Sequence, residues 1–142
     1  MNYTTQMDAA KKGVWTPQME DVFQYESIAK DLLIERIASG EIAVPANRNH
    51  KNLKARGVGR GLKTKINVNL GVSEDVCNRE MEMRKADLAL KFNADAVMDL
   101  STFGDTQAFR RQLVEKLPIM LGTVPMYDAV ARYGKNIAAM TK

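Results

Sequence analysis

Three short apolar segments recur at one interval, and that interval restricts what the chain can fold into more than any other feature. Asn69, Met98 and Tyr127 lie 29 residues apart, each at or just past the end of a segment that reads as a strand. Ile66, Val68 and Leu70 alternate with Lys65, Asn67 and Asn69, the two-residue period of a strand, and Gly71 stops it. Ala96-Val97-Met98-Asp99-Leu100 reads as a short buried strand, and Ile119 to Val124, begun by Pro118, as a third. Helical stretches stand between them. One runs from Ser73 to Phe92, with Ser73 as its cap and Glu74 and Asp75 well placed against the helix dipole. Val76, Met83 and Leu90 form one apolar line on it and Met81, Leu88 and Phe92 another, with Glu80 and Arg84 between, which suits a helix wedged between a sheet and neighbouring helices. The other is capped by Asp105 and carries Phe109, Leu113 and Leu117; Pro125 opens the next. Strands alternating with helices at this spacing imply right-handed crossovers and a parallel sheet. Three successive modules then present Asn69, Met98 and Tyr127 on one rim. Barrels of eight βα units and doubly wound sheets both bind ligands at strand carboxyl ends, so the period alone does not choose between them; a whole barrel needs ~250 residues, and this chain holds about three of eight units.

Residues 1–62 form a helical lead-in ahead of residues 63–142, which read as a partial (β/α) barrel. Thr16-Pro17 supplies a cap and a first-turn proline, and Ser27 caps a second helix that Gly40 ends, with Ile28, Leu32 and Leu33 as its apolar stripe. A short extended piece around Ile42-Ala43-Val44 follows, then a connector with Pro45 and the glycines Gly57, Gly59 and Gly61. The fold class expected is therefore α/β: a helical N-terminal segment followed by the first three or so βα units of a parallel barrel, left incomplete.

The chain's 142 residues fit one ordinary domain, and 45% hydrophobic with 27% charged residues belongs to globular chains, not disordered ones. No run approaches the ~18 apolar residues of a membrane span, and the polar start Met1-Asn2-Tyr3-Thr4-Thr5-Gln6 lacks a signal-peptide core, so the cytoplasm is the expected compartment and no membrane partner is expected. A single cysteine, Cys77, allows no internal disulfide and no cluster ligated by this chain alone; it is expected to pack within a helix. Charge is uneven. Residues 42–73 hold Arg48, Lys51, Lys54, Arg56, Arg60, Lys63 and Lys65 with no acid, a window of +7 in a chain of +4. A solvated or domain-facing basic surface is the commoner meaning of such a window, and phosphate contact is the alternative. No aromatic residue stands in the window, which argues against nucleic acid as a partner, since single strands are held by stacking.

Gly59-Arg60-Gly61-Leu62-Lys63-Thr64 is not a Walker loop, because Leu62 separates glycine from lysine and a strand follows. His50 is the only histidine, which excludes a histidine-pair metal site, and a connector histidine is expected at the surface. Asp99 ends a strand and suits either acid–base work or a paired structural role. Asn67 and Asn69 are more informative. Asparagine is disfavoured in strands, and two in alternation imply a polar lining that either recognises a ligand or hydrogen-bonds within itself.

Six stretches in order resemble the phosphomethylpyrimidine synthase (ThiC) family of thiamin biosynthesis: Thr5 to Gly13, Thr16 to Glu20, Val44 to His50, Lys65 to Gly71, Val97 to Ser101 and Gly122 to Tyr127. The resemblance covers nearly the whole chain and implies a radical S-adenosylmethionine enzyme on a (β/α)8 barrel. Such an enzyme rearranges aminoimidazole ribotide into 4-amino-5-hydroxymethyl-2-methylpyrimidine phosphate with a [4Fe-4S] cluster and zinc, and its complete form is implied to be a homodimer. By resemblance, Asn69, Met98 and Tyr127 match positions that contact the ribotide: the amide hydrogen-bonds it, the phenol stacks or donates, and the thioether packs against it. The family's cluster cysteines, a Cys-x2-Cys-x4-Cys, its metal histidines and its phosphate loop lie downstream of what is matched here. No catalytic or metal-ligating residue is therefore assigned to this chain, which is expected to be inactive alone, and its reading frame is expected to continue into the cysteine triplet. Phe103 and the stretch Leu70-Gly71-Val72-Ser73 depart from the commonest form of the motif and resemble the shorter members found in anaerobes. That subgroup shades into the hydroxybenzimidazole synthases, which use the same ribotide and make a cobamide lower base. A noncatalytic basic binding fragment is the other alternative.

Overall fold

The computed structural model describes residues 3–133 and 138; Met1 and Asn2 of the polar start lie outside them. The chain divides into two compact units, Met1–Lys65 and Ile66–Lys142.

The first unit is three helices and a two-residue ladder. Helix α1, Gln6–Lys11, is capped by Thr5, whose hydroxyl oxygen accepts from the Asp8 N–H at 3.0 Å. Helix α2, Pro17–Tyr25, starts as expected from Thr16, which accepts from the Met19 N–H, with Pro17 in the first turn, where no N–H is missed. Helix α3, Lys30–Ser39, corrects the sequence reading: its cap is Ala29, which has no side-chain oxygen to offer, and Ser27 lies outside it. Packing of Leu33 and Ile37 against Ala9, Ala10, Met19 and Val22 holds α3, and Gly40 closes it at φ 84°, a left-handed turn that glycine adopts without strain. Strands β1, Ile42–Ala43, and β2, Val58–Gly59, pair antiparallel. Gly59 lies so close to the Glu41 carbonyl oxygen that no Cβ would fit.

Most of the basic window is spent inside this unit. Arg56 and Lys63 bracket the Tyr25 ring, at 3.8 and 4.6 Å from its centroid. Arg60 pairs with Glu41, and Lys65 with Glu26 at 2.5 Å, this last pair almost wholly buried.

The second unit carries a parallel sheet ordered β3 (Asn67–Leu70), β4 (Ala96–Asp99), β5 (Met120–Thr123). Helices α4, Arg79–Lys91, α5, Thr106–Lys116, and α6, Pro125–Tyr133, follow the three strands in turn. Mixed α/β architecture with a parallel sheet, as the alternation implied, is thus present. Leu70 and Val97 on one sheet face pack with Ala86 and Ala89 of α4 and with Phe109 and Leu113 of α5. Burying side chains of this size contributes ~1.5–3 kcal/mol each, enough to fix which face of each strand turns inward.

Helix α4 begins later than the sequence reading had it. Ser73 accepts from the Val76 N–H and its own N–H reaches the Val76 carbonyl, so it closes a local turn, and Asn78 caps the helix by accepting from the Met81 N–H. Cys77 is consequently exposed in that connection and packs in no helix, contrary to expectation. The inward residues of α4 are Glu82, Ala86 and Ala89, while Met81, Leu88 and Phe92 are exposed. No helix among the described residues is long and apolar enough to cross a membrane.

Candidate functional site

The register assembles the polar face of the sheet directly. Asn67, Ala96 and Met120 form one row across it, and Asn69, Met98 and Gly122 the next. Side chains alternate along a strand, so these rows share the face opposite Leu70, Val97 and the helices. The Asn67 amide nitrogen donates to the Asn69 side-chain oxygen at 2.9 Å, which fixes the Asn69 carboxamide and leaves both its N–H groups for a ligand. Met98 lies across Gly122: a Cβ there would meet the methionine methyl at 3.0 Å. Glycine at position 122 gives the thioether room to lie flat on the sheet.

Asn69 and Tyr127 line one hollow of about 460 Å³ with Gly71, Val72 and Thr102. The strand ends are drawn together around it. Leu100 donates to the Leu70 carbonyl and Thr102 to the Val72 carbonyl, extending the β3–β4 ladder past both strands. Gly71, at φ 152°, sits against the Leu100–Ser101 backbone, where a Cβ would lie 2.8 Å from the Leu100 carbonyl carbon. Met98 is outside the lining of this hollow; it is the register partner of Asn69 on the same face. Of the three residues the spacing singled out, two therefore share a hollow and the third stands beside them.

Three structural groups hold this rim, and of their side chains only Asp99 stands out as a candidate in the sequence. Glu82, buried on α4, accepts from the Gly71 N–H at 2.8 Å and pairs with Lys85 at 2.7 Å, tying the helix to the end of β3. Asp99, 4% exposed, accepts from the N–H and hydroxyl of Ser101, whose oxygen accepts in turn from the Val72 N–H. The Arg110 guanidinium on α5 joins Asp99, at 3.3 Å, to Asp128 on α6, which also accepts from the Thr106 hydroxyl. Burial pushes the Asp128 carboxyl up, but the hydrogen bonds from Thr106 and Arg110 and the Arg110 charge outweigh it and hold the group below its ordinary value. Asp99 is thereby a paired structural carboxylate, one of the two roles open to it from sequence. Because Asp128 follows Tyr127 directly, the Arg110 bridge anchors the turn of α6 that carries the phenol.

His50 corrects an expectation: it is 6% exposed, in a turn where its N–H donates to the Asn47 carbonyl.

Parallel βα units that bring an amide and a phenol to one hollow at the strand carboxyl ends define an α/β protein with a parallel sheet, the class in which that end of the sheet is the usual place for a ligand. The chain belongs to the Radical SAM ThiC family, whose model matches residues 5–142. It is 55% identical over 141 residues to a phosphomethylpyrimidine synthase of Clostridium tetani, covering 99% of this chain and 31% of that protein. A phosphomethylpyrimidine synthase of Alkaliphilus metalliredigens is likewise 55% identical over 141 residues, at 99% and 32% coverage, and one of Pelotomaculum thermopropionicum is 55% identical over 137 residues, at 96% and 32%. The chain spans about a third of the length of these relatives. The family implies S-adenosylmethionine and an iron–sulfur cluster. Such a cluster takes three or four thiolates, and the one cysteine here does not fit it; among the described residues no three His, Cys, Asp or Glu side chains gather as a metal site.

Proposed function

We propose that this chain supplies part of the substrate rim of a phosphomethylpyrimidine synthase, which rearranges aminoimidazole ribotide to the thiamin pyrimidine phosphate. Supporting the reading is one observation above all: Asn69 and Tyr127, taken from strand ends two modules apart, line a single hollow, with Met98 next to Asn69 on the same face. The names of relatives 55% identical over 99% of the chain favour this product over the hydroxybenzimidazole and over a noncatalytic role. Asn69 would donate its clamped N–H groups to a ring nitrogen or ribose oxygen, and Tyr127 would stack on the heterocycle or donate its hydroxyl. Met98, flat on Gly122, would pack under the ring. The remaining βα units of a (β/α)8 barrel, the cluster ligands and zinc would come from other residues of a longer polypeptide, and a homodimer in the cytoplasm is the expected assembly.

The test is to read the frame beyond Lys142 for a Cys-x2-Cys-x4-Cys, then to supply the encoded protein, reconstituted and reduced without oxygen, with S-adenosylmethionine and aminoimidazole ribotide. Mass spectrometry should find the pyrimidine phosphate. A hydroxybenzimidazole product would move the chain to the cobamide branch, and a frame with no cysteine triplet would remove the enzymatic assignment.

A further inference from the structure

Three cations of the basic window, Arg48, Lys51 and Lys54, are not used up inside the first unit, and the first two share a hollow. Arg48 and Lys51 contact backbone carbonyls only: one guanidinium nitrogen reaches the Thr4 carbonyl at 3.3 Å, and the Lys51 ammonium reaches the Arg48 carbonyl at 2.7 Å. Neither makes an ion pair among the described residues, whereas Arg60 and Lys65 each have a glutamate. Both line one hollow of about 480 Å³, together with Tyr3, Thr5, Gln18 and Asn47, and no aspartate or glutamate lines it. The nearby Asp8 carboxylate is turned to Lys12 and the Thr4 N–H, and those hydrogen bonds hold it below its ordinary value.

The donors are directed by structure already in place. Thr5 uses its oxygen as the α1 cap, so its hydroxyl hydrogen is free to donate. Gln18 accepts from the Gln6 amide through its oxygen, which leaves its own N–H groups. The turn that carries Arg48 is locked by the Asn47 side chain, which accepts from the Asn49 N–H, and by the His50 N–H on the Asn47 carbonyl. An argininium fork, an ammonium, a hydroxyl and an amide around one acid-free hollow match a phosphate dianion, two positive charges to two negative. The volume exceeds what a bare ion fills and lies in the range of small-ligand sites.

We propose that this hollow of the N-terminal unit binds a phosphate monoester of a small metabolite, through residues none of which lines the strand-end hollow. Arg48 clamps the phosphate, Lys51 neutralises its second charge, and Thr5 and Gln18 complete its hydrogen bonds. The site does not depend on the ribotide reading, since none of its residues belongs to the rim. Isothermal titration of the chain with ribose 5-phosphate, with ribose and inorganic phosphate as parallel titrants, tests it. One saturable site is expected for the monoester, weaker binding of inorganic phosphate, and none of ribose. Arg48→Gln and Lys51→Gln should each weaken the monoester about ten- to a hundredfold, since each removes a charge-assisted hydrogen bond to the phosphate. Arg48→Lys should fall between, and Lys54→Gln, in the same window but outside the hollow, should leave binding unchanged. Circular dichroism and melting confirm that each variant is folded. Equal weakening by Lys54→Gln, tighter binding of mixed RNA than of the monoester, or no saturation at ~10 mM would overturn the proposal.

Discussion

Replacing Arg110 with Met should be the most damaging change of a partly exposed side chain in the second unit. The guanidinium stands between the Asp99 side chain, 2% exposed, and that of Asp128, 33% exposed, and is itself 23% exposed. Breaking a fully buried pair costs about 3–5 kcal/mol because a charge is stranded, whereas an exposed pair contributes about 0–1 kcal/mol. Asp99 is the stranded partner here, softened by the two hydrogen bonds it keeps from Ser101; Asp128 can turn to water. Methionine keeps most of the aliphatic packing, so the expected loss is about 2–3 kcal/mol. With a urea slope of about 1–3 kcal/mol/M, the unfolding midpoint should fall by roughly 1 M. Adding Asp99→Asn should cost less in the Arg110→Met background than in the wild type, with a coupling of about 1–2 kcal/mol in the double-mutant cycle. A midpoint shift equivalent to under about 0.5 kcal/mol, or strict additivity of the two changes, would refute the bridging role.

Other outcomes follow from the same geometry. Asp128 is held below its ordinary value in the folded state, so the unfolded chain binds more protons as pH falls; its contribution is complete above the ordinary aspartate range near ~3.9 and is lost as pH drops through the folded value. Between pH 5 and pH 3 the urea midpoint of the wild type should therefore fall further than that of Asp128→Asn, and parallel curves would contradict this. Gly59→Ala should unfold the first unit or cost roughly 2–4 kcal/mol, because its Cβ meets the Glu41 carbonyl, whereas Gly13→Ala, at φ 66° with nothing within 4 Å, should cost only ~1–2 kcal/mol. Comparable melting of the two variants would be the contrary result. Strands β3 and β5 have unpaired outer edges among the described residues, and exposed Ile66, Leu88 and Phe92 lie near the β3 edge, so the chain should self-associate as concentration rises. Sedimentation showing a sharply melting monomer at all concentrations would disprove it.

The strands were readable because each carries its own signal: the period of two from Lys65 to Leu70 and the apolar run at Ala96 need no knowledge of partners. Helix starts were less so. Ser73 and Asn78 are both good caps, and only the local turn that Ser73 makes with Val76 decides for Asn78; at α3, tertiary packing holds a start that has no capping side chain. Asn69 and Tyr127 were found by spacing, since a repeat of one βα unit returns the chain to the same rim. Their support was not readable, because Asp99, Arg110 and Asp128 come from a strand and two helices, and nothing local marks them as neighbours. Glu82 could have been found from the inward spacing it shares with Ala86 and Ala89. The burial of His50 depends on packing that a connector sequence does not display.

Titration of aminoimidazole ribotide onto the protein that carries this chain, without turnover, addresses the rim itself. Asn69→Ala and Tyr127→Ala should each weaken binding about tenfold or more, on the scale of one lost hydrogen bond or stack at a desolvated site. Met98→Ala should weaken it less, and Lys54→Gln not at all. Undiminished affinity in both Asn69→Ala and Tyr127→Ala, with the fold intact, would contradict the assignment of the strand-end hollow to the ribotide.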